Sequence, residues 1–339
     1  MHPNGQRFSL ALITLKFHKY YKRGEVEDPT RFNLAFMSVP CSKWGYDDFT
    51  AEETQSTEYM RFEEVILNTI REQVCDGDET AYTYLMNWLV HNVQCMGEKM
   101  GTMVWLVGEQ GTGKGWVFWT MGQLLGKAYV RLSSLDQLTA KFNAHLVGRA
   151  LVLVDEACFN GSNAQADLIK NAVTEREILM ESKFKDAEVI ASTFNLCTTS
   201  NHHQPVKVEN QDRRHALFKT SSLTNRGPEY WVPWWEASSD PVMLRFLYRH
   251  LMNRDVWLWN PRAIPNTHLR AAAQRANRPF IAWFLEEAVV EGWALRWQLQ
   301  EEESVQVLRR SLYEAYNNFL DKQRERFAMP EAERPKSQA

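Results

Sequence analysis

The sequence lacks long apolar runs, paired cysteines and a strong excess of either charge. None of its apolar stretches approaches the ~20 residues that a membrane-spanning helix needs, so we expect no membrane association. The cysteines are odd in number and no two are spaced as a zinc-binding pair, which argues against a disulfide scaffold and indicates a reducing, intracellular compartment such as a host cytoplasm. The five are Cys41, Cys75, Cys95, Cys158 and Cys197.

The balance of charge excludes a protein that coats nucleic acid by overall attraction. Lys and Arg number 39 against 42 Asp and Glu, which leaves a formal net charge of −3. Any contact with DNA must therefore come from a local basic patch. Hydrophobic residues make up 44% of the 339 residues, so a large core is expected, and the length is enough for about two domains.

Hydrophobic patterning predicts strands that alternate with helices. Such alternation is typical of an α/β fold with a mostly parallel sheet. Asp78 is expected to cap the first clear helix. The predicted segments are helices at 78–95, 116–125 and 164–174, strands at 103–107, 151–154 and 194–199, and a hairpin at 178–193.

A glycine-rich motif of the form G-x-x-x-x-G-K lies between the first strand and the next helix. Glycines allow backbone N–H groups to turn around phosphate oxygens, and the helix N-terminus adds its dipole. A plain glycine turn is the alternative. The predicted nucleotide-binding residues are Gly108, Glu109, Gln110, Gly111, Thr112, Gly113, Lys114, Gly115 and Trp116.

One position departs from the phosphate-loop pattern. Gly115 follows Lys114 where a Ser or Thr hydroxyl ordinarily binds Mg²⁺. Thr112 lies inside the loop and is not an obvious substitute. The departure weakens the expectation of efficient hydrolysis more than that of nucleotide binding.

Two carboxylates directly follow the strand at 151–154. A strand end holds them at the carboxyl edge of the sheet, where α/β proteins bind ligands. Asp155 is the expected Mg²⁺ ligand, and Glu156 the expected base that activates water. Acidic residues that merely cap a strand are the alternative.

Polar residues end the next strand and follow it. Asn201 is expected to orient water against an outer phosphate. Further on, Asp212 precedes Arg213 and Arg214, one of which could act on a nucleotide held by a neighbouring subunit. The sequence leaves the choice between these arginines open and slightly favours Arg214.

In this order, the motifs resemble superfamily 3 helicases, in particular the helicase part of phage and large-DNA-virus primase-helicases of the poxvirus-type group. The resemblance covers about residues 80–285. It implies a P-loop NTPase core of AAA+ type that forms a hexameric ring, uses ATP and Mg²⁺, and moves on single-stranded DNA. The residues that carry it are 111–115, 140–146, 155–157, 199–201 and 212–214.

The resemblance also implies a division of the chain. We expect an N-terminal segment at 1–79, a P-loop core at 80–225, a helical part of the core at 226–300, and the start of a small domain with a loose tail at 301–339. A primase is an expected partner, or a domain missing from the chain, and the sequence does not distinguish the two.

The hairpin at 178–193 is the candidate contact with DNA. Lys183 and Lys185 flank Phe184 at its tip. Two cations can hold phosphates while the ring packs on a sugar or base. An exposed turn whose lysines oppose aggregation is the alternative.

Three further features of the sequence are expected to be structural rather than functional. Asp76 and Asp78 are expected to form a turn and helix cap, and His202 and His203 not to bind zinc. Eight of the 13 tryptophans lie at or after Trp231, and a helical core is expected for them.

The sequence therefore predicts an ATP-hydrolysing DNA helicase or translocase core that acts in DNA replication. Two alternatives stay open. One is an AAA+ ATPase for DNA packaging or protein remodelling, and the other is a nucleotide-binding scaffold whose hydrolysis is impaired.

Overall fold

The computed structural model describes most of the chain between residues 40 and 327. The described ranges are 40–45, 47–138, 140, 142–157, 163–181, 186–202, 205–206, 208–209, 211–221, 228–276, 280–290 and 309–327. Within these ranges, no helix is long and apolar enough to cross a membrane.

A five-stranded sheet forms the centre of the protein. Its strands are β1 (Met103–Val107), β2 (Tyr129–Leu132), β3 (Leu151–Val154), β6 (Asn195–Ser200) and β7 (His215–Lys219), in the spatial order β2-β3-β6-β1-β7. All four pairings are parallel. The central strands β1, β3 and β6 are buried throughout, as expected for strands covered on both faces. The prediction of an α/β fold with a parallel sheet is confirmed.

A separate two-stranded hairpin lies between β3 and β6 in the sequence. Strands β4 (Glu177–Met180) and β5 (Glu188–Ala191) pair antiparallel, with Ile178 opposite Ile190. The predicted hairpin is thereby confirmed. Its predicted DNA-binding residues, Lys183, Phe184 and Lys185, lie outside the described residues.

Helices precede the sheet. Asp78 caps helix α3 (Glu79–Gln94) by accepting hydrogen bonds from the backbone N–H groups of Thr80 and Ala81, at 2.9 and 3.0 Å, so the predicted cap is confirmed. Asp76 and Gly77 have φ of 53° and 71°, which confirms the predicted turn. The elements are a 3-10 turn at Pro40–Lys43, α1 (Ala51–Thr54), α2 (Thr57–Phe62), π-helical turns at Glu63–Asn68 and Ile70–Val74, and α3 (Glu79–Gln94).

Helices also connect the strands of the sheet. Helix α4 (Lys114–Leu125) begins two residues earlier than its hydrophobic pattern predicts. Gly113 adopts a left-handed conformation, which leaves Lys114 as the first helical residue. The connecting elements are α4 (Lys114–Leu125), a 3-10 turn at Gly126–Ala128, α5 (Leu135–Leu138), a 3-10 turn at Ala144–Leu146 and α6 (Asn163–Thr174).

Further helices follow β7. A 3-10 turn at Pro228–Trp231 leads into α7 (Val232–Ala237), α8 (Pro241–Asn253) and α9 (His268–Ala276). Helices α3, α4 and α8 contribute buried side chains to the same core as strands β1 and β3. This core fixes α4, and with it the loop at its N-terminus, against the sheet.

The chain forms two compact units, Met1–Ala273 and Gln274–Ala339. The second contains α10 (Phe280–Val290) and α11 (Arg309–Phe327), which pack through Phe284 and Phe319 at a ring-centroid distance of 5.7 Å. The four-part division at residues 80, 226 and 301 stays a prediction.

Candidate functional site

An open cleft lies at the carboxyl ends of strands β1, β3 and β6. Its cavity volume is about 460 Å³, within the range of small-molecule sites. Strand β6 lies between β1 and β3, so the glycine-rich loop after β1 and the carboxylates after β3 flank the end of β6. The fold thus brings together the loop residues 110–116 with Asp155, Glu156 and Asn201.

The glycine-rich loop is held in a turn that only glycine adopts easily. Gly111 and Gly113 have φ of 82° and 81°. The hydroxyl of Thr112 is buried inside the loop, where it donates to the Glu109 carbonyl at 2.9 Å and lies 2.9 Å from the Thr220 hydroxyl. These bonds tie the loop to the end of β7 and direct its backbone around the N-terminus of α4.

Trp231 packs on the loop, and sequence reasoning missed this contact. Its indole Nε1 donates to the Gly111 carbonyl at 2.7 Å. A Cβ placed on Gly113 would lie 2.3 Å from the indole ring, so this position accepts only glycine. Trp231 is buried, but Trp235 and Trp257 are 41% and 62% exposed, so the expectation of a helical core for the tryptophans at or after Trp231 is wrong for these two.

Lys114 is folded back onto the loop. Its ammonium donates to the Gly108 carbonyl at 2.8 Å and to the Glu109 carbonyl. Burial lowers the pKa of Lys114 to about 8, against the opposing effect of Asp155, Glu156 and Glu109. A phosphate in the cleft would offer this buried ammonium an anionic partner in place of neutral carbonyls.

Gly115 opens directly into free space. A Cβ at this position would meet nothing within 4 Å. The structure therefore leaves room for the Ser or Thr of the phosphate-loop pattern, so crowding does not explain the missing hydroxyl.

A threonine of β6 holds the Asp155 carboxylate and the backbone of Glu156. The Thr199 hydroxyl donates to Asp155 Oδ1 and accepts from the backbone N–H of Glu156 at 3.0 Å. Glu156 has φ of 52°, an unusual conformation for a residue other than glycine and one that is concentrated at functional sites. The exposed side chain of Glu156 and the half-buried one of Asp155 both line the cleft.

Arg131 forms an ion pair with Asp155 that the sequence did not reveal. The guanidinium Nη2 contacts Asp155 Oδ2, and the Arg131 side chain is 62% exposed. Arg131 lies on β2, and the pairing of β2 with β3 places Leu132 beside Val154. The segment 129–132 has no strong apolar run, so hydrophobic patterning did not predict this strand or its arginine.

The two candidate arginines after β6 lie at the far edge of the sheet. The Arg214 carbonyl accepts from Met103 N–H at 2.7 Å, which places it beside the start of β1. Strand β1 separates this point from Gly108 by about 16 Å, given the rise per residue of an extended strand. Arg213 and Arg214 therefore stand apart from the cleft of their own chain, while Asn201 lines it.

Aromatic residues line the cleft beside the loop. Trp119 and Trp235 meet edge to face, with ring centroids 5.0 Å apart. Tyr129 also lines the cleft, and its hydroxyl is buried without a hydrogen-bond partner in the structure. Trp119 was not predicted, because an aromatic residue inside an apolar helix gives no indication of which face it occupies.

A further group of possible metal ligands precedes the glycine-rich loop in the sequence. The ligand atoms of His91, Cys95 and Glu98 lie within 4.8 Å of one another. The group contains neither a pair of cysteines nor adjacent histidines, so no sequence pattern indicated it.

The fold and the cleft define an α/β protein with a glycine-rich loop between a buried strand and a helix. A family of unknown function, DUF5906, matches residues 106–214, which include the loop, both carboxylates and the arginine pair.

Comparison with individual proteins identifies a phage relative. The chain is 25% identical over 242 residues to a DNA primase-polymerase of Nitratiruptor phage NrS-1, a match that covers 64% of this chain and 32% of the relative. The chain thus spans about a third of the length of the curated relative it matches.

Solved structures of the NrS-1 C-terminal region share the fold. One apo structure superposes with a TM-score of 0.58 at 20% identity, over 67% of this chain and 58% of the other. An A-form apo structure gives 0.58 at 18% identity, over 76% and 64%. At this identity, the likeness concerns the fold alone.

These comparisons contradict the prediction of an ATP hydrolase and DNA helicase. The relative is named for priming and polymerisation of DNA, which is nucleotidyl transfer and neither ATP hydrolysis nor unwinding. The cleft also differs from the expected arrangement, since Asp155 is paired with Arg131.

Proposed function

We propose that this chain is a nucleoside-triphosphate-binding module of a phage-type DNA replication protein. ATP is the proposed ligand, and binding rather than turnover is the proposed role. This was the scaffold alternative left open by the sequence. The main observation in support of this proposal is the conformation of the loop at 108–115. The loop is folded around the N-terminus of a buried helix, and the Lys114 ammonium is bonded to a carbonyl of the loop.

The chemistry of the cleft supports a polyphosphate ligand. The loop N–H groups and the dipole of α4 favour anions at this end of the helix. Lys114 adds a buried cation, and Arg131 adds a second cation that lines the same cleft. The volume of about 460 Å³ leaves room for the remainder of a nucleotide beside Trp119 and Trp235.

The replication context rests on the phage relative. Its name, DNA primase-polymerase, supports placing the present chain in DNA replication. As part of the same proposal, the core is a P-loop core of AAA+ type, and copies assemble into a hexameric ring. The position of Arg214 at the edge opposite the cleft supports this, because it leaves the arginine available to a neighbouring copy.

Two partners complete the proposal. Single-stranded DNA is the proposed ligand of Lys183, Phe184 and Lys185, which lie between β4 and β5 in the sequence. A primase is the proposed protein partner, in keeping with the name of the phage relative.

The experiment that tests the proposed function is titration of the protein with a fluorescent ATP analogue. Saturable binding is expected, and Lys114→Ala should weaken it at least about tenfold, because a charge-assisted contact to phosphate is lost. Lys127→Ala is the matched control, since Lys127 is an exposed lysine just after the same helix and does not line the cleft. Equal affinity of the Lys114→Ala and wild-type proteins would refute the proposal.

A further inference from the structure

We propose that nucleotide binding at this cleft does not depend on Mg²⁺, because Arg131 supplies the cation that a metal provides in other phosphate loops. The inference rests on the proposed function and deepens it. It departs from the expectation that Asp155 binds Mg²⁺.

The loop offers no hydroxyl to a metal. Gly115 occupies the position from which a Ser or Thr would reach the ion. The nearest alternative, Thr112, is fully buried, and its hydroxyl is engaged with the Glu109 carbonyl and the Thr220 hydroxyl, each at 2.9 Å. Freeing it would break both of these contacts.

The carboxylate expected to bind the metal is already engaged on both oxygens. Asp155 Oδ1 accepts from the Thr199 hydroxyl, and Asp155 Oδ2 contacts the Arg131 guanidinium. Mg²⁺ demands near-octahedral oxygen coordination and gives up its water reluctantly. A carboxylate that is already paired with a guanidinium is a poor ligand for such an ion.

Arg131 is placed to contact phosphate without leaving Asp155. Its Nη2 contacts the carboxylate, and a guanidinium carries five N–H donors in a planar fork that also matches phosphate geometry. The side chain is 62% exposed and lines the cleft together with Lys114. Arg131 can therefore bridge Asp155 and the outer phosphates, which is the bridging position of a metal ion.

The test compares binding of the fluorescent ATP analogue in buffer with Mg²⁺ and in buffer with EDTA. We expect dissociation constants that agree within about threefold. Arg131→Ala should weaken binding at least about tenfold in both buffers, as expected for loss of a charge-assisted phosphate contact. Arg245→Ala is the matched control, because Arg245 is an exposed arginine of α8 that does not line the cleft.

A second variant tests the role of position 115. Gly115→Ser should fold normally, because a Cβ there meets nothing within 4 Å. It restores the missing hydroxyl, so its affinity should become several-fold stronger in Mg²⁺ than in EDTA, a dependence that the wild-type protein should lack.

Two results would overturn the inference, and they are distinguishable. Binding by the wild-type protein in Mg²⁺ that is lost in EDTA would show that a metal is needed, while leaving the proposed function intact. An absence of binding in both buffers would overturn the proposed function and the inference with it.

Discussion

Lys114 combines a buried position with a charge that the proposed ligand requires. Its neighbours in the loop are carbonyl groups, which stabilise an ammonium less than water or a phosphate would. Burial consequently lowers its pKa from 10.5 to about 8. The loop thus holds a lysine that changes its charge close to neutral pH.

The lowered pKa of Lys114 predicts that nucleotide binding weakens as the pH rises above 8. Below about pH 8 the lysine is charged in the free protein. Above it, Lys114 must take up a proton from solvent when the nucleotide binds. The affinity should therefore fall by about tenfold between pH 7 and pH 9. Titrations of the fluorescent ATP analogue at several pH values measure this.

Lys114→Arg is the control for that pH dependence, because an arginine stays charged throughout this range. The variant should bind with little change between pH 7 and pH 9. A wild-type protein whose affinity is constant over the same interval would contradict the assigned pKa.

The segment that carries Trp231 acts as a support for the loop. Trp231 ends the 3-10 turn Pro228–Trp231 and lies 120 positions after Gly111 in the sequence, yet its indole packs against Gly113 and donates to the Gly111 carbonyl. Trp116 donates in turn to the Trp234 carbonyl at 3.1 Å. The loop is therefore held from outside the sheet as well as from within it.

Removal of Trp231 should lower both stability and nucleotide affinity. Trp231→Ala deletes a buried indole, which is expected to cost about 3 kcal/mol of unfolding free energy. It also releases the Gly111 carbonyl, so the loop should bind the fluorescent ATP analogue more weakly. Urea unfolding and titration measure the two effects.

Trp257→Ala provides the comparison for Trp231. Trp257 is 62% exposed, so its loss should change the unfolding free energy by less than about 0.5 kcal/mol. A Trp231→Ala protein that matched Trp257→Ala in both measurements would show that the indole does not support the loop.

Most elements around the cleft follow from the sequence, because their patterns are local. The buried strands β1 and β3, the cap at Asp78 and the loop from Gly108 to Lys114 each depend on neighbouring residues. The contacts of Arg131 and Trp231 do not, since they join residues 24 and 120 positions apart. A single sequence carries no pattern that reports such long-range contacts.

The glycine-rich loop lies at the carboxyl ends of the strands of the sheet, and the pair Arg213 and Arg214 lies at the opposite, amino-terminal end. Asp212 anchors the pair by accepting from the backbone N–H groups of Arg214 and His215, at 3.0 and 2.8 Å. Burial alone would raise the pKa of Asp212, but the contacts with His215 and Arg214 lower it to about 2. The turn that presents the arginines is thus fixed by a carboxylate that stays charged at neutral pH. Sequence order could not give this placement, because it depends on the spatial order of the strands.

We expect nucleotide to promote assembly of the chain with copies of itself. An arginine at the far edge could contact a neighbour's cleft in the proposed ring, so the molar mass should rise when ATP is added. Light scattering coupled to size-exclusion chromatography measures it. Arg214→Ala should prevent the rise if Arg214 contacts the neighbour, and Arg213→Ala should do so if Arg213 does. A mass that is unchanged by ATP would contradict the ring, and thermal unfolding of both variants controls for misfolding.

The indoles around the loop have an optical consequence. Trp231 contacts the turn that would hold the phosphates, and Trp235 forms part of the same wall with 41% of its surface exposed. Indole emission changes in wavelength and intensity when the polarity around the ring changes. The cleft therefore contains its own fluorophores, and the arrival of an unlabelled nucleotide would be visible in the intrinsic emission of the protein.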